Sequence, residues 1–124
     1  MIRLRYALPL LLAATAASGA ELAAKQSAGP YVLELRVSPR LQVFETMMLF
    51  TVTDSDGKPV DTAKARGHAD FSSGGLRGKA TLHPDGANRM KGYGLMSAKP
   101  DLSIDVTITF DGAPPLKAIF KPLQ

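Results

Sequence analysis

The chain has 124 residues, with 15 Lys+Arg against 11 Asp+Glu and neither cysteine nor tryptophan. That length suits one domain with one modest core, and the missing cysteine rules out disulfides, thiolate metal ligands and a thiol nucleophile. The cations are scattered and aromatic residues make up only 6% of the chain, so the clustered charge and stacking rings of a nucleic-acid binder are not there.

The chain opens MIRLRYALPLLLAATAASGA. Arg3 and Arg5 make a positive start, Ala7 to Ala17 an apolar stretch, and Ser18-Gly19-Ala20 a run of small residues that a signal peptidase accepts. The apolar stretch falls short of the ~20 residues needed to cross a bilayer. We therefore expect a secretory signal over residues 1–20, cleavage before Glu21, a periplasmic address and no stable membrane span afterwards. Cleavage takes two of the 15 cations and leaves 13 against 11, a net charge of +2. Residues 21–29, small and polar, are expected to be a flexible lead-in to a domain over residues 30–124.

From Tyr31 the apolar pattern takes a period of two, the mark of a half-buried strand. Tyr31, Leu33, Leu35 and Val37 share one face until Pro39, and a turn is expected at Phe44-Glu45. In the next strand Met48, Phe50 and Val52 share a face, while Met47 and Leu49 on the other predict that both sides are partly covered. DSDGKPV, Asp54 to Val60, is a turn by its Asp, Gly and Pro chemistry. TAKARGHADF alternates Ala63, Ala65, Gly67 and Ala69 with Lys64, Arg66 and His68; after SSGG, Leu76, Gly78, Ala80 and Leu82 alternate with Arg77, Lys79 and Thr81. HPDGAN turns the chain into RMKGYGLM, a short strand in which Gly92 and Gly94 mark a bulge or an edge. The cleanest alternation is Leu102, Ile104, Val106, Ile108 and Phe110, and a last strand carries Leu116, Ala118 and Phe120. About seven short strands with regular turns and no helix predict an all-β fold, an immunoglobulin-like antiparallel β-sandwich. A small open barrel is the alternative.

The chemistry that could be placed on such a scaffold is limited. There is no G-x-S-x-G elbow, the only histidines are His68 and His83, and Asp54, Asp56 and Asp85 sit in turns where their side chains bond the local backbone. We expect a protein without catalytic activity. The soft donors are more suggestive: His68, Met90 and Met96, with His83 and Met47 in reserve, combine imidazole and thioether, which together suit a copper ion. Met90 and Met96 lie six residues apart, roughly 20 Å on a straight strand, so they share an ion only if the intervening Gly-Tyr-Gly folds back. The competing reading is that the methionines fill core gaps. Lys64, Arg66, Arg77 and Lys79 would line one sheet face as a basic stripe able to dock an acidic envelope protein.

The stretches FTVTDSDGKPVDTAKARGHADF, GKATLHPDGANRMKGYGLM and SIDVTITFDGAPPLKAIFKPL together resemble small exported β-sandwich proteins associated with heavy-metal efflux, of the YtkA-like and copper-resistance C-like kind. The resemblance is carried by the Asp54-Gly57-Pro59-Val60 turn, the Lys91-Gly92-Tyr93-Gly94 segment and the final alternating strands, and spans roughly Tyr31 to Leu123. It implies an immunoglobulin-like fold and a role in envelope metal homeostasis, carrying a copper-like ion or docking on an efflux component. The N-terminal histidine and the methionine-rich stretch of the copper-resistance C-like proteins, and the tryptophan of barrel-type copper chaperones, have no counterparts here, so no family ligand passes to a residue of this chain. An immunoglobulin-like protein–protein interaction module with no metal role is the alternative.

Overall fold

The structure, a computed structural model, describes residues 22–39, 46–95 and 99–123. The expected signal over 1–20, the Phe44-Glu45 turn and Met96 lie outside the described residues. Within them the fold is all-β: β1 (Leu22–Ala28), β2 (Tyr31–Pro39), β3 (Thr46–Asp54), β4 (Arg66–Ser73), β5 (Leu76–Pro84), β6 (Arg89–Gly94), β7 (Ser103–Thr109) and β8 (Leu116–Phe120). No helix among the described residues is long and apolar enough to cross a membrane.

All pairings are antiparallel, and they join the strands into one sheet in the order β1-β2-β3-β6-β5-β4-β7-β8. The strands β4, β5 and β6 form a meander, with β7 returning beside β4 and β3 lying beside β6. Two Greek keys thus overlap on one meander. The ends of the sheet curl toward each other, so that Cα atoms of β1 and β8 approach within 8 Å. The molecule is a nearly closed barrel. Its thinnest join is β5 to β6, which pair only at His83↔Lys91 and Pro84↔Met90.

The period-two pattern decides what is inside. Leu33, Leu35, Met48, Phe50, Val52, Met90, Ile104, Val106, Ile108, Leu116 and Phe120 are buried, with Phe50 and Phe120 rings 6.2 Å apart. At one end Tyr31 stacks on Phe110 at 5.0 Å and its hydroxyl donates to the Pro114 carbonyl at 2.8 Å, tying the start of β2 to the β7–β8 loop.

Three features differ from the sequence expectation. Residues 22–28, expected to be a flexible lead-in, form β1, paired residue by residue with β2; backbone pairing makes this strand, because its small side chains carry no alternation. The described residues therefore hold eight strands. The fourth strand begins at Arg66, since Asp61–Ala65 is held as a loop. Buried Thr62 pins that loop to the β5–β6 turn: its N–H donates to Ala87 O at 3.0 Å and its Oγ1 to Arg89 O at 2.9 Å. Leu76, which by alternation shares a face with Ala80 and Leu82, is exposed beside the β4–β5 turn while those two are buried.

Removing the Thr62 hydroxyl takes away one of the two hydrogen bonds to the Arg89 carbonyl, which keeps the Asp85 N–H as a donor, and the loss of one such bond costs about 0.5–1.5 kcal/mol. Thr62→Val is expected to lower stability by that amount in urea unfolding. An unchanged midpoint would show that the loop is not held there.

Candidate functional site

Among the described residues the soft donors do not converge. Met90 is fully buried on the inner side of β6, opposite Phe50 on β3, and Met48 is buried two positions further along β3. Both methionines are core residues. Met47 is half-buried on the outer side of β3, opposite Tyr93. His68 and His83 are exposed on the outer sides of β4 and β5. The sheet itself therefore separates the Met90 thioether from both imidazoles.

The Gly-Tyr-Gly segment accounts for this. Inward positions on β6 are Met90, Gly92 and Gly94. A Cβ at Gly92 would meet Leu82 Cδ2 at 2.7 Å and the Thr81 carbonyl at 2.8 Å, and one at Gly94 would run into the Phe71 ring. Gly78, directly across from Phe71 on β5, leaves room for the same ring. The glycines thus let β6 close down on β5 and admit Phe71 at the corner of the barrel, the role sequence periodicity assigns to glycine in a strand. Gly-Tyr-Gly shapes a packed corner.

The imidazoles do share a face. His68 lies opposite Thr81, and His83 is two residues further along β5, a diagonal neighbour at a Cα separation of about 7–8 Å. His68 Nε2 stands 3.9 Å from Asp70 Oδ2, and Asp70 Oδ1 is also 3.7 Å from Lys79 Nζ. Among the described residues no group of three or more His, Cys, Asp and Glu could hold a metal ion.

The four cations expected to form one basic stripe fall into two places. Arg77 and Lys79 border an open depression of about 530 Å³ on the outer face of β5, β4 and β7, where Asp70 and Asp105 stand opposite each other. Lys79 is engaged by Asp70 there. Arg66 lies six residues back along β4 from Ser72, the partner of Arg77, and so is roughly 20 Å away. It joins Lys64 at the end of the barrel closed by Tyr31 and Phe110.

That end carries a groove missed by sequence reasoning. Two adjoining hollows, about 380 Å³ and about 420 Å³, share Lys64, Phe110 and Asp111. Tyr31, Val60 and Ala65 line the first and Arg66 the second. One carboxylate oxygen of Asp61, at the rim, accepts the Ala63 N–H at 2.9 Å. Lys64 and Arg66 make no ion pair among the described residues. Nothing in the local sequence joins these residues, since they come from the β3–β4 loop, the start of β2 and the β7–β8 turn. The DSDG turn holds no cation site: Asp54 Oδ1 accepts the N–H groups of Asp56 and Lys58 at 2.8 and 2.9 Å, the Asx arrangement.

Compared with protein-family models, with curated proteins and with solved structures, the chain matches none.

The division between core thioether and surface imidazole can be measured. Met90→Ala is expected to cost about 2–5 kcal/mol of stability, the range for emptying a buried site. His68→Ala should stay within about 0.5 kcal/mol of the parent, as exposed positions do. The reverse order in denaturant unfolding would contradict this placement.

Proposed function

We propose that this is an exported, non-catalytic accessory protein of the cell envelope that docks an acidic segment of a partner protein at the barrel end. The single observation that carries the proposal is the pair Lys64 and Arg66, which make no ion pair among the described residues although Asp61 and Asp111 line the same groove, floored by the Tyr31–Phe110 stack. Cations left unpaired at the edge of an apolar hollow attract an anionic chain and hold it by the aliphatic parts of its side chains. The resemblance to heavy-metal-efflux proteins supplies the setting, envelope metal homeostasis with an efflux component as partner, and the N-terminal segment supplies the periplasmic address. In this reading the curled sheet is an immunoglobulin-like sandwich, with the narrow β5–β6 join as the line between a β1-β2-β3-β6 layer and a β5-β4-β7-β8 layer.

A second reading, carriage of a copper-like ion, is favoured by one observation, the diagonal placement of His68 and His83 on an exposed face. Two imidazoles are an incomplete set, and a partner or water would complete it. Met90, fully buried in the core, has no part in this reading.

Docking is tested by fluorescence anisotropy with a labelled acidic peptide. Lys64→Glu together with Arg66→Glu is expected to weaken binding by at least about tenfold, and rising salt to weaken the parent's binding in parallel. Arg77→Glu should change it little. Equal loss from Arg77→Glu, or no binding by the parent, would contradict the groove. Titration with Cu(I) against a competing chelator separates the second reading. Docking alone predicts no competition at micromolar metal, whereas carriage predicts binding that is lost in both His68→Ala and His83→Ala and kept when Met47 is replaced.

A further inference from the structure

β1, like β8, is an end strand of the sheet. It pairs with β2 along one edge, from Leu22↔Val37 to Ala28↔Tyr31. Its other edge faces β8 within 8 Å, yet no ladder joins the two among the described residues. It also buries least. Leu22, Ala24 and Ala28 are only partly covered and inward Gln26 is exposed, whereas each other strand places at least two residues in the buried interior. Backbone hydrogen bonds to β2 are therefore its main attachment.

The connection to β2 is two residues, Gly29 and Pro30. Gly29 takes φ +62° at the first turn position, the sign a two-residue hairpin turn needs. Proline's fixed φ is as compatible with an extended chain as with a turn. Opening the hairpin thus needs a conformational change chiefly at Gly29, a residue that adopts either sign of φ without steric cost and has nothing within 4 Å of where a Cβ would stand. Once open, β1 runs on from β2 as one long strand.

We propose that β1 exchanges between two copies of this chain, giving a two-fold symmetric dimer in which each β1 pairs with the β2 of the other copy. The contacts needed are the seven register pairs already made within one chain, so they are complementary between copies by identity, and the interface is isologous. The hinges of the two chains meet at the symmetry axis, and the two straightened segments pass each other antiparallel. The approach of β1 to β8 also explains why the occupant is an exchanged strand and not an added one: an inserted strand needs about 9.6 Å between its neighbours, twice the strand spacing, and the seam is narrower than that.

The absence of cysteine makes the exchange directly testable. Lys25 and Glu34 are register partners with their side chains on the outer face of β1 and β2, at a separation that a disulfide bridges. Two single variants of the full chain, Lys25→Cys and Glu34→Cys, are mixed at high concentration, incubated, diluted and oxidised. Exchange places one cysteine beside the other only across two copies, so a mixed covalent dimer is expected on a non-reducing gel. Mixing after dilution should give about tenfold less, because exchange is bimolecular, and deleting Gly29 should raise the yield by a similar factor, since a shortened hinge cannot close on itself. The double variant, oxidised when dilute, should give an internally bridged monomer, which shows that the β1–β2 register is intact. An internally bridged double variant together with no mixed dimer, with or without Gly29, would overturn the proposal.

Discussion

A sheet with no helix packed on it must cover its own apolar face. That constraint organises the described molecule. Leu33, Leu35, Phe50, Ile104, Val106, Ile108 and Phe120 are contributed by strands from both halves of the order, and they leave water together only if the sheet curls until its ends approach. Curling brings β1 and β8 side by side, which shields two edges that would otherwise offer unpaired backbone groups to other chains. With no disulfide to hold the closure, packing and backbone pairing carry it.

The tightest point of the closure is the corner where β6 approaches β5. Glycine is required there because Phe71 and Leu82 occupy the space side chains would take. The same corner governs the functional reading. Curling gives each strand an inside and an outside, and the alternation sends Met90 to one and His68 and His83 to the other. Met90 is thereby kept apart from both imidazoles, and the polar surface of the described residues offers an exposed histidine pair, a depression in which Asp70 engages Lys79, and an end groove in which Lys64 and Arg66 make no ion pair with Asp61 or Asp111.

Much of this could be seen in the amino-acid order. The strands β2, β3, β7 and β8 announce themselves by alternation, because a large apolar side chain at every second position has one physical solution. Even the two-sided cover of β3 follows from Met47 and Leu49, which are half-buried. β1 could not be found this way, since its inward residues are Leu, Ala, Gln and Ala and its strand conformation comes from a partner. Leu76 misled because a side chain next to a turn is free to leave the face its period assigns. The strand order was beyond reach, as the Greek-key returns are set by which edges meet in space. For the same reason Lys64, Arg66, Arg77 and Lys79 looked like one stripe, although Lys64 lies in the loop before β4 and the antiparallel β4–β5 pairing carries Arg66 and Arg77 to opposite ends.

The central claim is that one closed apolar interior holds Met90 and excludes it from the surface that carries the histidines. Methyl-labelled methionine, observed by NMR with a water-soluble paramagnetic agent added, tests it most directly. The account predicts that the Met48 and Met90 methyl signals keep their linewidths while that of half-exposed Met47 broadens. A Met90 methyl that broadens with Met47 would contradict it.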